Sequence, residues 1–219
     1  MANNTLITGG ARSGKSRFAE ELTRNLSASF RFQFKDDIKA ARNSATQAYT
    51  QYVEEPKTSQ RRERLEMEAE SLCYLATAQG LDGEMDERIH RHRLRRGTGW
   101  ETIEEPLMIP QTLARIDGIY RAILLDCVTL WLSNLLLSCD EDDPGCEEQV
   151  LNHVHRLAAT LRGMSTPVVL VTNEVGQGIV PENRLARLYR DIAGQANQIL
   201  AASCDNVYVA ISGIPLKLK

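Results

Sequence analysis

The chain has 219 residues, and 26 lysine and arginine side chains stand against 29 aspartates and glutamates, for a formal net charge of −3. This mild acidity argues against a general nucleic-acid binder and against a protein that adheres to membrane surfaces. No apolar run reaches the length of a membrane span, and no basic segment followed by an apolar core marks a secretory signal. The length favours a single α/β domain over two small ones, with room for a substantial core.

The cysteines indicate a reducing compartment. Five are scattered along the chain without a C-x-x-C pair, at Cys73, Cys127, Cys139, Cys146 and Cys204. An odd, scattered set of this kind favours reduced thiols that mostly serve as packing residues, and hence a cytoplasmic protein. A bridge between Cys139 and Cys146, across the loop that separates them, is the less favoured alternative.

A phosphate-binding pattern lies near the start of the chain. Residues 5–16 read TLITGGARSGKS, which contains the G-x-x-x-x-G-K-S spacing of a P-loop. Residues 4–8 are short and apolar enough for a strand, and residues 17–25 carry apolar side chains at helical spacing. A strand, a loop and a helix in this order favour a genuine P-loop over a chance glycine-rich turn.

Phosphate chemistry explains the loop positions. Gly9 and Gly10 let the backbone turn tightly and approach a ligand without an intervening Cβ. The backbone N–H groups and the N-terminus of the following helix attract phosphate oxygens, while Lys15 is expected to reach the outer phosphates and Ser16 to bind Mg²⁺. The predicted nucleotide-binding residues of the loop are Gly9, Gly10, Ala11, Arg12, Ser13, Gly14, Lys15 and Ser16.

Beyond the loop, apolar strands alternate with helices. Strands are predicted over residues 72–78, 100–104, 122–126, 167–172 and 206–212, the last of the chain, and helices over 82–96, 109–116, 128–137, 147–164 and 182–203. This order predicts a doubly wound, mostly parallel sheet with helices on both faces, a P-loop α/β fold that binds ligands at the carboxyl ends of its strands. Residues 26–70 are polar and charged, which favours a surface insertion, helical or mobile in part, over a lid or a partner-binding arm.

Polar residues follow two of the predicted strands. Asp126 ends the strand 122–126, where a carboxylate in a P-loop protein holds Mg²⁺ directly or through water. Its alternative role is to cap the next helix, and the metal role is favoured because a P-loop needs a magnesium partner. Residues 172–178 and the helix start at 181–183 fit ligand contacts and an ordinary strand–helix connection equally well.

The predicted helix 82–96 is rich in arginine and carries two histidines. Its arginines, Arg93 and Arg96 among them, suit a polyphosphate, and a histidine beside phosphates can act as a nucleophile or as a general acid–base. His90 and His92 are two residues apart, so they cannot share a helix face. Without further information, a solvated surface position is the simpler interpretation of each.

Several stretches together resemble one family closely. They read GGARSGKSRFAE at 9–20, YLATAQ at 74–79, DGEMDERIHRHR at 82–93, WETIEEP at 100–106, LLDCVTLWLSNLL at 124–136 and VTNEVGQGIVPENRLARLYRDIAGQANQILA at 171–201. The chain is similar here to the bifunctional adenosylcobinamide kinases and adenosylcobinamide-phosphate guanylyltransferases of cobalamin synthesis. The last stretch is the most specific, and residues 26–70 depart from the family, which usually has a much shorter connection there.

This resemblance implies two reactions that consume ATP or GTP in the presence of Mg²⁺. A nucleoside triphosphate phosphorylates the hydroxyl of the aminopropanol arm of adenosylcobinamide, and GMP from GTP is then transferred to adenosylcobinamide phosphate through a covalent GMP–histidine. That histidine is expected to be His92, at an R-I-x-x-H spacing from Arg88, with His90 as the alternative. The residues expected to border the nucleotide are Thr77, Ala78, Gln79, Glu104 and Asp126.

Two other functions compete with this interpretation. One is a P-loop NTPase whose hydrolysis is only regulatory, and the other is a nucleotide-binding module without catalysis. The resemblance further implies a homo-oligomer, a trimer in particular.

Overall fold

A computed structural model of the protein describes residues 2–27, 71–78, 99–140 and 143–219. The strands are β1 (Thr5–Gly9), β2 (Leu72–Ala76), β3 (Trp100–Glu104), β4 (Ile123–Asp126), β5 (Val168–Val171), β6 (Asn206–Ile211) and β7 (Ile214–Lys217). The helices are α1 (residues 15–27), α2 (Ile109–Ile116), α3 (Val128–Ser138), α4 (Cys146–Gly163) and α5 (Arg184–Ser203).

The strands form one seven-stranded sheet in the order β3-β2-β4-β5-β1-β6-β7. Every neighbouring pair is parallel except β6 and β7, which form an antiparallel hairpin at one edge. The predicted doubly wound, mostly parallel α/β sheet is therefore confirmed. In the described parts of the chain, no helix combines the length and the apolar character needed to cross a lipid bilayer.

Helices cover both faces of the sheet. Ile7 of β1 and Leu124 of β4 face the side where Ala19 of α1 packs. Leu6 and Leu125 face the opposite side, in a larger core that α2, α3, α4 and α5 share. Because alternate side chains point to opposite faces, strands covered on both sides read as continuous apolar runs.

Side chains accept backbone hydrogen bonds directly before α2 and at the start of α5. The Glu105 carboxylate accepts from the N–H groups of Leu107 and Met108 at 3.0 and 2.8 Å, directly before α2. The Asn183 amide oxygen accepts from the N–H of Ala186 at 3.0 Å and makes Asn183 the N-cap of α5. The Asn183 bond satisfies a donor that the first turn of α5 leaves without a partner, whereas the Glu105 bonds fix the backbone that leads into α2.

Two expectations are corrected. The strand predicted over 206–212 is not the last, because β7 follows it after a turn at Ser212 and Gly213, both with positive φ. Cys139 and Cys146 are not free thiols but form a disulfide, which the loop between α3 and α4 allows by holding their Cα atoms 5.9 Å apart.

The other three cysteines are free and buried, as predicted. The remaining predicted elements agree with the observed ones to within two residues at each end. The predicted helix 82–96 and almost all of the segment 26–70 lie outside the described residues.

Candidate nucleotide site at the carboxyl ends of the strands

The parallel strands bring the polar residues predicted for the site to one edge of the sheet. Ala76 at the end of β2 pairs with Glu104 at the end of β3 and with Asp126 at the end of β4. Asp126 in turn pairs with Val171, the last residue of β5. β1, whose last residue Gly9 begins the phosphate loop, lies beside β5 in the same sheet. The loop, both predicted carboxylates and the residues after β2 and β5 therefore share the edge where such folds bind ligands.

The backbone of the phosphate loop requires glycine at two positions. Gly9 has a φ of +143°, and a Cβ added there would lie 2.4 Å from the carbonyl oxygen of Ala210 in β6. Gly14 has a φ of +93°, and its Cβ would lie 3.1 Å from the Cα of Gly213. The N–H of Gly213 also donates to the carbonyl oxygen of Ser13 at 3.0 Å. The turn between β6 and β7 therefore packs directly against the loop, a contact that the sequence did not indicate.

The Lys15 side chain lies folded against this loop. Its ammonium donates to the carbonyl oxygen of Gly10 at 2.6 Å, and the residue is buried. Burial lowers the pKa of this amine, and three neighbours partly offset the effect: Cys127, Asp126 and Glu174. Because burial raises the pKa of Cys127 to about 11, this thiol is uncharged near neutral pH. The two carboxylates are therefore the anions that favour a charged lysine.

Ser16 and Asp126 have the chemistry that a magnesium site needs. Ser16 is half-buried in the first turn of α1, and Asp126 is half-buried at the end of β4. The Tyr74 hydroxyl donates to Oδ2 of Asp126 at 3.0 Å and orients the carboxylate. Mg²⁺ prefers hard oxygen ligands and retains several water and phosphate oxygens. One hydroxyl and one carboxylate therefore fit the ion.

Thr77 ties the segment after β2 to the start of α3. Its hydroxyl donates to the carbonyl oxygen of Cys127 at 2.8 Å and accepts from the N–H of Cys127 at 2.9 Å. Its own carbonyl oxygen accepts from the Asn134 amide at 2.9 Å, and the same amide reaches the carbonyl oxygen of Pro106 at 3.1 Å. Thr77 is fully buried, and its side chain holds the segment after β2 against the backbone at the start of α3. Ala78 follows it, half-buried, and Glu104 is exposed nearby.

Glu174 is an acidic residue of this edge that the sequence had left undecided. Its N–H donates to the carbonyl oxygen of Gly9 at 3.1 Å, and its carboxylate accepts a hydrogen bond from the Thr8 hydroxyl. Its charge is also one of those that favour the charged form of Lys15. The sequence indicated this position only through the polar residues and glycines that follow a buried strand. That pattern is equally typical of an ordinary connection between a strand and a helix.

Five predicted site residues lie outside the described part of the chain. They are Gln79, His90, His92, Arg93 and Arg96. The structure therefore brings together the phosphate loop with Lys15 and Ser16, Thr77, Ala78, Glu104 and Asp126, while the choice between the two histidines stays a prediction.

Comparison with known proteins decides the family. Residues 57–218 match the family described as cobinamide kinase / cobinamide phosphate guanyltransferase, a range that covers well over half of the chain. The chain belongs to this family. The resemblance expected from the sequence is thereby confirmed, as is the expectation of a kinase and guanylyltransferase enzyme.

Curated relatives extend the cobinamide kinase family match to nearly the whole chain. The bifunctional adenosylcobalamin biosynthesis protein CobU of Escherichia coli is 37% identical over 221 residues, which span 98% of each chain. The bifunctional adenosylcobalamin biosynthesis protein CobP of Pseudomonas aeruginosa is 36% identical over 214 residues, with 98% of this chain and 96% of that protein covered. Among solved structures, one ATPase domain is 12% identical, with a TM-score of 0.42, over 94% of this chain and 68% of that one.

Proposed function

We propose that the chain phosphorylates adenosylcobinamide with ATP or GTP and then transfers GMP from GTP to adenosylcobinamide phosphate through a covalent GMP–histidine. The observation that carries the proposal is the phosphate loop. Its backbone requires glycine at Gly9 and Gly14, and it holds a buried Lys15. The chain that contains it belongs to the cobinamide kinase family. The names of the relatives, bifunctional proteins of adenosylcobalamin biosynthesis, support it.

In the kinase step, the backbone amides of the loop and the N-terminus of α1 bind the phosphates of the nucleotide. Lys15 leaves its internal partner, the carbonyl oxygen of Gly10, and turns to the outer phosphates. Ser16 and Asp126 hold Mg²⁺, which neutralises charge on the phosphate oxygens when it is bound. The acceptor hydroxyl bonds to the γ-phosphorus as the bond from phosphorus to the β-bridging oxygen breaks.

In the transfer step, His92, or His90 as the alternative, attacks the α-phosphorus of GTP. A P–N bond forms while the bond to pyrophosphate breaks, and the phosphate of the corrinoid then displaces the histidine to give adenosylcobinamide-GDP. A neutral imidazole is abundant near pH 7, and a covalent intermediate lets one site handle two bulky substrates in turn. Arg93 and Arg96 contribute positive charge beside the phosphates, and Thr77, Ala78, Gln79 and Glu104 border the nucleotide.

Intact-protein mass spectrometry after incubation with GTP and Mg²⁺ tests the transfer half. We expect one added GMP on the wild type, mapped by peptide analysis to His92 or His90. The adduct should disappear in one of the variants His92→Ala and His90→Ala. An unmodified wild type that hydrolyses GTP without a corrinoid would instead indicate a regulatory NTPase.

The kinase half is tested with adenosylcobinamide and labelled ATP or GTP. Wild type should produce adenosylcobinamide phosphate, and Lys15→Ala should lose this activity because the outer phosphates lose their cation. Light scattering on the same preparation tests the expected homo-oligomer, for which a trimer is the proposed size.

A further inference from the structure

We propose that Glu174 accepts the proton of the attacking hydroxyl in the phosphoryl-transfer step. This inference deepens the proposed function and rests on it. It names the group that activates the acceptor hydroxyl of the corrinoid, a role that Lys15 and the magnesium ligands do not provide.

The position of Glu174 is the first argument. It follows β5, which lies between β1 with the phosphate loop and β4 with Asp126. Its backbone N–H is bonded to the carbonyl oxygen of Gly9 at 3.1 Å, so the residue is attached to the first residue of the loop. Its charge acts on Lys15 together with that of Asp126. Lys15 therefore has two carboxylates that act on it: Asp126, the predicted magnesium ligand, and Glu174, which is bonded to the loop.

The second argument is the way in which the carboxylate is held. Oε1 accepts from the Thr8 hydroxyl and from the Asn197 amide, the latter at 3.2 Å. Asn197 is itself oriented, since its Oδ1 accepts from the Thr172 hydroxyl at 2.7 Å and its amide donates to the carbonyl oxygen of Asn173 at 3.2 Å. Within the described chain, these hydrogen bonds reach Oε1 and none reaches Oε2. One oxygen is therefore anchored, and the other is left for a substrate.

The third argument is that the negative charge is not needed for anchoring. Thr8 and Asn197 are neutral donors, and the amide oxygen of a glutamine would accept the same two hydrogen bonds. A half-buried carboxylate costs desolvation energy, which a purely structural acceptor would avoid. A carboxylate attached to the phosphate loop is useful when a proton must be taken from an incoming hydroxyl.

Atoms and charges balance in this step. The hydroxyl oxygen forms a bond to the γ-phosphorus, its proton passes to Oε2 of Glu174, and the bond between the γ-phosphorus and the β-bridging oxygen breaks. The nucleoside diphosphate leaves, and the carboxylic acid later returns its proton to solvent. Guanylyl transfer needs no such acceptor, because a neutral imidazole and a phosphate oxygen attack with free electron pairs. Glu174 should therefore matter far more for the kinase half than for the transferase half.

Glu174→Gln is the decisive variant because it keeps the volume and the Oε1 acceptor but removes the basic oxygen. Kinase turnover and GTP-dependent GMP labelling are measured on the same preparation, beside wild type. We expect kinase kcat to fall by about 10²–10⁴-fold, as for the loss of a general base, and at least ten times more than the labelling rate. Glu174→Asp, which keeps the carboxylate on a shorter stem, should recover part of the kinase rate.

Glu148→Gln is the matched control, since Glu148 lies exposed on α4 and has no part in the proposed site. It should leave both half-reactions at wild-type rates. Equal losses of both activities in Glu174→Gln would assign Glu174 to holding the shared loop and overturn the inference, as would an unchanged kinase rate. Unchanged Tm and ADP affinity of Glu174→Gln would exclude a folding or nucleotide-binding defect. Inactivity of wild type in both assays would refute the proposed function itself, a result distinct from any of these.

Discussion

Replacing Gly9 by alanine should destabilise the protein strongly even without a nucleotide. An alanine at a φ of +143° places its Cβ 2.4 Å from the carbonyl oxygen of Ala210. The backbone conformation costs about 1–3 kcal/mol for a residue with a Cβ, and forcing β1 and β6 apart costs about 1–3 kcal/mol more. The free energy of unfolding should therefore fall by about 2–6 kcal/mol, a large part of the stability of an ordinary domain.

Urea unfolding followed by circular dichroism measures this loss, and the Tm should drop by about 5–20 °C for a chain of this length. Gly10→Ala is the control, because a Cβ at Gly10 meets no heavy atom within 4 Å. Its unfolding free energy should stay within about 1 kcal/mol of wild type. If Gly9→Ala were as stable as Gly10→Ala, the close contact with β6 would not be what restricts this position to glycine.

Three further perturbations have separate readouts. Changing Cys139 and Cys146 to serine, or reducing wild type with a dithiol, should cost about 2 kcal/mol of unfolding free energy, because the bridge closes a short loop; equal stability of oxidised and reduced protein would contradict this. Burial lowers the pKa of His153, so its contribution to stability is present above about pH 6.5 and is lost as the pH falls below that value. The fall in Tm on acidification should therefore be smaller in His153→Gln than in wild type, and an equal fall in both would contradict this. Trp131→Phe should cost about 2–4 kcal/mol in urea unfolding, because it opens a cavity and leaves a backbone carbonyl 2.8 Å from the indole nitrogen without its donor; a loss below about 0.5 kcal/mol would contradict this.

The elements that the sequence predicted well are those whose patterns reflect burial on both sides. The strands 72–78, 122–126 and 167–172 read as continuous apolar runs because helices cover both faces of the sheet. Once parallel strands are assigned, their carboxyl ends must share one edge, so the placement of Asp126 and the phosphate loop at the same edge followed from the order of elements, while the strand order did not.

The features that the sequence did not reveal depend on contacts between distant segments. β7 is exposed along its length and contains a proline, so its sequence lacks a burial pattern, and it forms because the turn at Ser212 and Gly213 returns the chain to β6. The bridge from Cys139 to Cys146 depends on how α3 and α4 meet. Glu174 is directed by Asn197, which lies on α5 and 23 residues further along the chain.

The turn between β6 and β7 has a consequence for how the protein is made. Gly213 touches Gly14 and bonds to Ser13, so the phosphate loop depends on a residue that is synthesised almost two hundred residues after it. The nascent phosphate loop must wait for this contact until residue 213 has been made. A chain that stopped after β6 would therefore contain every glycine and the lysine of the loop and yet lack the contacts of Gly213 with Gly14 and Ser13.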